Sequence, residues 1–525
     1  MKQRTLVAVA VSLLGGCSLV PNYQTPELPV AEQVGTAVDS GDQATLPALP
    51  TLPGWRTMFP DTQLQELIAT ALSNNRDLRM AILNVAEARA QYGIEGAALY
   101  PELAVGADGS RQRLPADLSG SGDSRVAAQY GVQLGLMSYE LDLFGRVRSL
   151  ESAALQQYLA TEEARRSAQL TLVSEVTAAY LTLMADAEKL RISEQTEADQ
   201  QRAINLIRRR YESGLSTELD LRQAEIALET ARASRAQYAR LVSKDRNALA
   251  VLVGGDTPVL AMRELTDPAV TPLTGVPAGL PATVLTARPD IRQAEHRLRS
   301  ANANIGAARA AFFPRIALTG SVGTASGELS GLFDAGSGAW SFAPSLSLPI
   351  FTGGRNQANL DLAEIRRDQR VVDYEQTVQQ AFREVADTLS ARQFLAQQEQ
   401  AQSALVAATA RSLTLAEARF EEGVDDYLAV LDARRALLDA RQQLVSVTLQ
   451  KLTNRVQLYR SLGGGGQADR PTLVGDAYAQ VGGATSLKGE GSSLKAEGSS
   501  PKAEGSSLRG DASAVAEVAA EAPSG

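Results

Sequence analysis

The chain has 525 residues, with 51 Lys and Arg against 60 Asp and Glu, a net charge of −9 that falls to −11 if the two cations Lys2 and Arg4 leave with a leader. That balance argues against nucleic acid as a partner, because affinity for phosphate backbones rests on clustered cations. A single His and a single Cys leave little from which to build a metal site, a Cys/His nucleophile or a disulfide, so no catalytic residues, metal or dissociable cofactor are expected.

At the start, Lys2 and Arg4 precede an apolar run, Leu6 to Leu14, which Gly15, Gly16 and Cys17 close. This is a secretory leader spanning 1–16, too short to be a spanning helix. Its end is similar to a lipobox, which implies S-diacylglycerol and N-acyl groups on Cys17. Ser18, where an aspartate would retain the chain at the inner membrane, implies sorting to the outer membrane. Residues 17–60 then form a lipid-anchored arm. No later stretch approaches about 18 consecutive apolar residues, so a mature chain that crosses a bilayer must do so as a closed barrel.

Residues 61–275 and 276–462 read as two copies of one unit. Asp77, Arg79, Gly93 and Pro101 recur 213 positions later as Asp290, Arg292, Gly306 and Pro314. Arg210, Glu212, Gly214 and Leu219 recur 209 positions later as Arg419, Glu421, Gly423 and Leu428. No Gly or Pro interrupts the 68 residues from Arg146 to Ser213 or the 39 from Leu215 to Val253, and Arg355 to Glu422 and Val424 to Leu462 repeat those lengths. Each half therefore predicts one very long helix or two stacked ones, a turn at Gly214 or Gly423, and a return helix. At 1.5 Å per residue these span roughly 100 Å and 58 Å. Leu170, Val173, Thr177, Tyr180, Met184 and Ala187 keep a 3.5-residue period, as do Val371, Tyr374, Val378, Ala381, Val385 and Thr388, which predicts coiled-coil seams.

Ahead of each long helix the period changes to two. Leu103 to Arg113 and Val126 to Leu136 form one strand pair; the alternating stretches 316–323 and 342–350 form the other. Each strand has an apolar face and a small polar face, as lipid-facing barrel strands do. Gly, Ser and Asp-rich loops near 115–123 and 327–338 suit the exterior. Four strands cannot enclose a lumen, and open edges in lipid would strand backbone groups, so the chain must oligomerise. From Gly463 the composition changes; 463–525 reads as a collar segment followed by a low-complexity, disordered tail.

The motifs Gly279-Leu280-Pro281, Ala287-Arg288-Pro289-Asp290-Ile291-Arg292-Gln293-Ala294-Glu295, Ile305-Gly306 and Phe312-Phe313-Pro314 resemble the signature of the TolC-type outer-membrane factors. Val20-Pro21-Asn22-Tyr23 with Pro26 resembles their OprM/NodT-like lipoprotein branch. The resemblance implies an α+β membrane protein: a homotrimer whose four strands per protomer make a 12-stranded β-barrel, continued by a periplasmic α-helical barrel with an equatorial collar. It implies the passive exit duct of a multidrug or solvent efflux system, working with a periplasmic adaptor and an inner-membrane RND pump. A duct for type I protein secretion and a periplasmic adaptor lipoprotein are the alternatives. It also implies sites. Asp432 matches an aspartate that would line the periplasmic aperture. Asp220 matches one that latches helices through a Tyr/Arg pair, but Phe420 and Glu421 occupy those positions here; Arg419, Arg222 and Arg434 are the candidate substitutes. Gly214, Leu215, Ser216, Gly423, Val424 and Asp425 would form the adaptor-docking tips.

Overall fold

The computed structural model describes residues 18–34, 54–119, 122–256, 258–267, 270 and 280–465. The leader, Cys17 and the tail beyond Gly465 lie outside the described residues. In chain order the elements are β1 (Gln33–Val34), α1 (Trp55–Met58), α2 (Thr62–Asn74), α3 (Arg76–Ala97), β2 (Leu103–Leu114), β3 (Arg125–Leu141), α4 (Arg146–Glu212), α5 (Glu218–Val253), β4 (Leu280–Pro281), α6 (Pro289–Ala310), β5 (Arg315–Ser326), β6 (Gly338–Ser347), α7 (Arg355–Glu421) and α8 (Tyr427–Ser461). A 22-residue helix, two strands, a 67-residue helix and a return helix thus occur twice in the same order.

Both 67-residue helices are single and continuous, about 100 Å each. Left-handed glycines bound them: Gly145 and Gly354 before the first turn, Gly214 and Gly423 after the last. At each far end the chain closes a Schellman-type cap, with Leu215 N–H donating to Arg210 O at 2.8 Å and Val424 N–H to Arg419 O at 2.9 Å. The caps and the residues leading into the next helix consume part of each Gly-free run. The return helices are consequently 36 and 35 residues, about 53 Å, not the 58 Å expected.

Strands β2, β3, β5 and β6 form one antiparallel sheet in that order, leaving β2 and β6 as edges. The register puts Leu103, Val105 and Ala107 beside Leu136, Leu134 and Val132, then beside Gly320, Val322 and Thr324, then beside Phe342, Trp340 and Gly338. The opposite face carries Ala104, Gly106, Asp108, Gln133, Ser321 and Ser341. A bulge at Met137 and Ser138 shifts the β3–β5 register and puts Ser138 at a φ of 37°. β6 ends at Ser347, so Leu348 and Ile350, expected to continue the strand, follow it instead; Pro349 can donate nothing to a ladder.

Lateral order is the same in sheet and helices. Helix α4 packs on α3, α5, α6 and α8, and α7 packs on α6 and α8. The sequence α3–α4–α6–α7 therefore continues β2–β3–β5–β6, and below it runs α5–α4–α8–α7. The seam residues are where the period places them: Val173, Thr177, Tyr180, Met184, Tyr374, Val378, Ala381, Val385 and Thr388 are all buried. Three apolar clusters follow: one around α2 with Phe59, Ile68, Tyr180 and Leu249; one joining Val34 to Tyr374 and Val378; one near the helix tips with Ile207, Leu228, Tyr427 and Leu431.

Candidate functional site: the helical tips, the arm and the open edges

Both turns expose an apolar residue directly after the capping glycine. Leu215 and Val424 are exposed, Ser216 and Asp425 half-buried. The second turn is braced by Arg419, which donates to both Asp425 oxygens at 2.5 and 2.8 Å. The first is braced by Asp220, which accepts from Thr217 N–H at 2.8 Å and from the Thr217 and Ser216 hydroxyls at 2.8 and 2.9 Å, while Thr217 caps α5. Partial burial pushes the Asp220 pKa up, but those hydrogen bonds and the charge of Arg210 outweigh it and hold the carboxyl below its usual range.

Asp220 therefore caps its own helix, and none of the three arginines put forward as substitutes for the missing latch bonds to it. Arg419 is taken by Asp425, Arg222 by Glu218 and Glu225, and Arg434 by Glu417 at 2.8 Å. What joins the helices here is Phe420, whose ring lies 5.4 Å from Tyr427 on α8 and 4.9 Å from the Arg210 guanidinium on α4. An aromatic and cation–π contact thus sits at a site expected to be polar. Glu421 is exposed. Asp432 is also exposed, 3.5 Å from Arg435 one turn on, and directly follows the buried Val430 and Leu431.

Two features went unread in the sequence: where the arm docks, and how the return helices end. The arm, residues 18–34, is strapped along α6. Its β1 pairs with β4, Tyr23 lies under Arg299 at 5.0 Å, and Asn302 Nδ2 donates to Pro21 O at 2.9 Å. Gly306 is required there, since a Cβ would meet Val20 Cγ2 at 2.5 Å and Ser149 Oγ at 2.7 Å. Second, the two return helices end on equivalent grips made by different side chains. Asn75 Nδ2 donates to Leu252 O at 2.9 Å, and the buried Arg288 donates to Ser461 O at 2.6 Å while pairing with Asp290 and Glu384. His296 bonds Gln156 at 2.8 Å, and burial lowers its pKa; it holds two helices together.

Among the described residues no group of three or more His, Cys, Asp or Glu could hold a metal, and no helix is long and apolar enough to cross a membrane. A sheet with an apolar band on one face, continued by helices of about 100 Å, defines a membrane-inserted transport component. The comparisons make this specific: the chain belongs to the outer membrane efflux protein family, which matches residues 67–255 and 280–464. It is 47% identical over 475 residues to the toluene efflux pump outer membrane protein TtgC of Pseudomonas putida, covering 89% of this chain and 98% of that one. Over 475 residues it is also 47% identical to the antibiotic efflux pump outer membrane protein ArpC of Pseudomonas putida, with the same coverage. The open-state MtrE outer membrane channel of Neisseria gonorrhoeae matches at a TM-score of 0.77 and 41% identity, covering 87% of this chain and 100% of that one. The chain is an outer-membrane efflux protein whose long helices extend into the periplasm.

Proposed function

We propose that three copies of this chain close into a 12-stranded barrel above a helical tunnel, forming the exit duct of a tripartite efflux system. The observation that carries this reading is the pair of open edges. β2, α3 and α5 form one edge, β6 and α7 the other, so a second copy can extend sheet and tunnel together by the same rotation, and a closed ring removes every unpaired strand edge from lipid. Repetition of the same elements along the chain supports an internal duplication, with limits at 61–275 and 276–462. The names of TtgC and ArpC favour aromatic solvents and antibiotics as cargo over secreted proteins. Substrate would come from an inner-membrane pump of the RND class through a periplasmic adaptor seated on the Leu215 and Val424 tips. Asp432 would line the periplasmic aperture, and Cys17 would carry the lipid as the chain's one covalent modification, with no catalytic group and no dissociable cofactor. Deleting the gene should lower tolerance to toluene and to several antibiotics together, and the full-length chain should restore it. Unchanged tolerance to both would refute the reading.

A further inference from the structure

The outward face of the sheet is apolar from Leu103 up β2 to Gly109, which pairs with Tyr130 on β3. That Tyr130 lies on this face is independently clear, because a Cβ on Gly109 would sit 3.2 Å from its ring. Beyond this level the same face carries two arginines, Arg111 and Arg113, paired with Ala128 and Val126. Both are exposed, and neither has an ion pair or hydrogen bond among the described residues. They lie about 26 and 33 Å along the strand from Leu103. At a barrel tilt of about 40° that is roughly 20 and 25 Å along the membrane normal, the upper rim of an apolar band about 25 Å tall. The β2–β3 hairpin points away from the helices, so this rim is the external one.

An arginine on a lipid-facing surface is costly at mid-membrane and tolerated at the rim. Two of them on one face, about 6.6 Å apart, present planar forks suited to phosphate oxygens. We propose that Arg111 and Arg113 form a binding site for the phosphate groups of outer-leaflet glycolipid, seating the sheet at a fixed depth and holding that lipid against β2. The proposal rests on the barrel reading above.

The full-length chain is inserted into phosphatidylethanolamine vesicles doped with diphosphorylated lipid A, and co-purified lipid A is measured by mass spectrometry. The parent should retain it, dephosphorylated lipid A should not be retained, and R111Q/R113Q should retain about tenfold less with insertion unchanged. Equal retention by parent and variant overturns the site. Loss of heat-resistant oligomer by the variant in vesicles without lipid A also overturns it, because the arginines would then pair with Glu328 or Asp334 of a neighbouring copy. If the parent fails to insert, the barrel reading falls as well.

Discussion

Gly254 ends α5 at a φ of +80°, with Asn74 O only 2.6 Å from where a Cβ would sit, so the strain and the clash fall on the same residue. Gly254→Ala should cost about 1–3 kcal/mol, read as a lower melting temperature with the sheet content unchanged. On the same helix, Asp245 has a buried Oδ2 without a hydrogen-bond partner and feels the charge of Asp186 on α4. Burial, then the Asp186 charge, pushes the Asp245 pKa up against the weaker pull of Lys244; Lys189 and Tyr238 complete the charged and titratable surroundings. A raised folded pKa means the folded state prefers the protonated acid. The stability it contributes is complete below the ordinary carboxylate range and is lost as pH rises through the folded value. Asp245→Asn should therefore flatten the fall in melting temperature as pH rises above mild acidity; an unaltered slope would show that Asp245 is ionised throughout. Asp432 bears on conduction. If three copies converge, their carboxylates form an anionic constriction that favours cations. In planar bilayers Asp432→Ala should raise conductance and lower cation preference, and identical traces would place the constriction elsewhere on α8.

The helical tips are the natural place to test partner contact, because each turn is held rigid from inside and leaves one apolar side chain outside. Leu215 and Val424 contribute nothing to the tip core formed by Ile207, Leu228, Tyr427 and Leu431. Leu215→Glu or Val424→Glu should thus leave oligomer yield and melting temperature unchanged while lowering solvent and drug tolerance toward that of a deletion. Normal tolerance in both variants would mean that the adaptor docks elsewhere. Elements of this kind were readable from sequence wherever one physical rule dominates. Gly and Pro are excluded from long helices, so their absence marked α4 and α7 to within a residue. Period-two alternation marked β2 to within a residue, but it stopped five residues short of the end of β3, past the bulge at Met137 and Ser138, and three short of the end of β5. Legibility failed where a single side chain decides the outcome. Asn75 and Arg288 occupy equivalent positions and grip equivalent carbonyls, yet share no chemistry that an alignment of the two halves could expose. The same holds for Phe420: its lack of a hydroxyl predicts that a polar latch is gone, but its packing between Arg210 and Tyr427 depends on three helices meeting.

At the scale of the whole molecule, the question is what holds the duct in the membrane. The sheet brings its own apolar face, and in the proposed trimer its edges would be closed by other copies whether or not a lipid is attached. The arm is held independently: β1 pairs with β4, Val20 fills the space over Gly306, and Asn302 bonds Pro21, all within the last three turns of α6 or at its base. α6 leads directly into β5, so Val20 packs over Gly306 within ten residues of chain from the start of that strand. Three acyl chains on Cys17 would hold the chain at the membrane surface, but they pair no strand edge, which only a closed barrel does. Cys17→Ala expressed behind a cleavable leader should therefore still give heat-resistant oligomers in the outer-membrane fraction, at reduced yield because the acyl anchor no longer concentrates the chain at the membrane before insertion. Recovery of that variant only as a soluble monomer would mean that the lipid, and not the sheet, is what inserts.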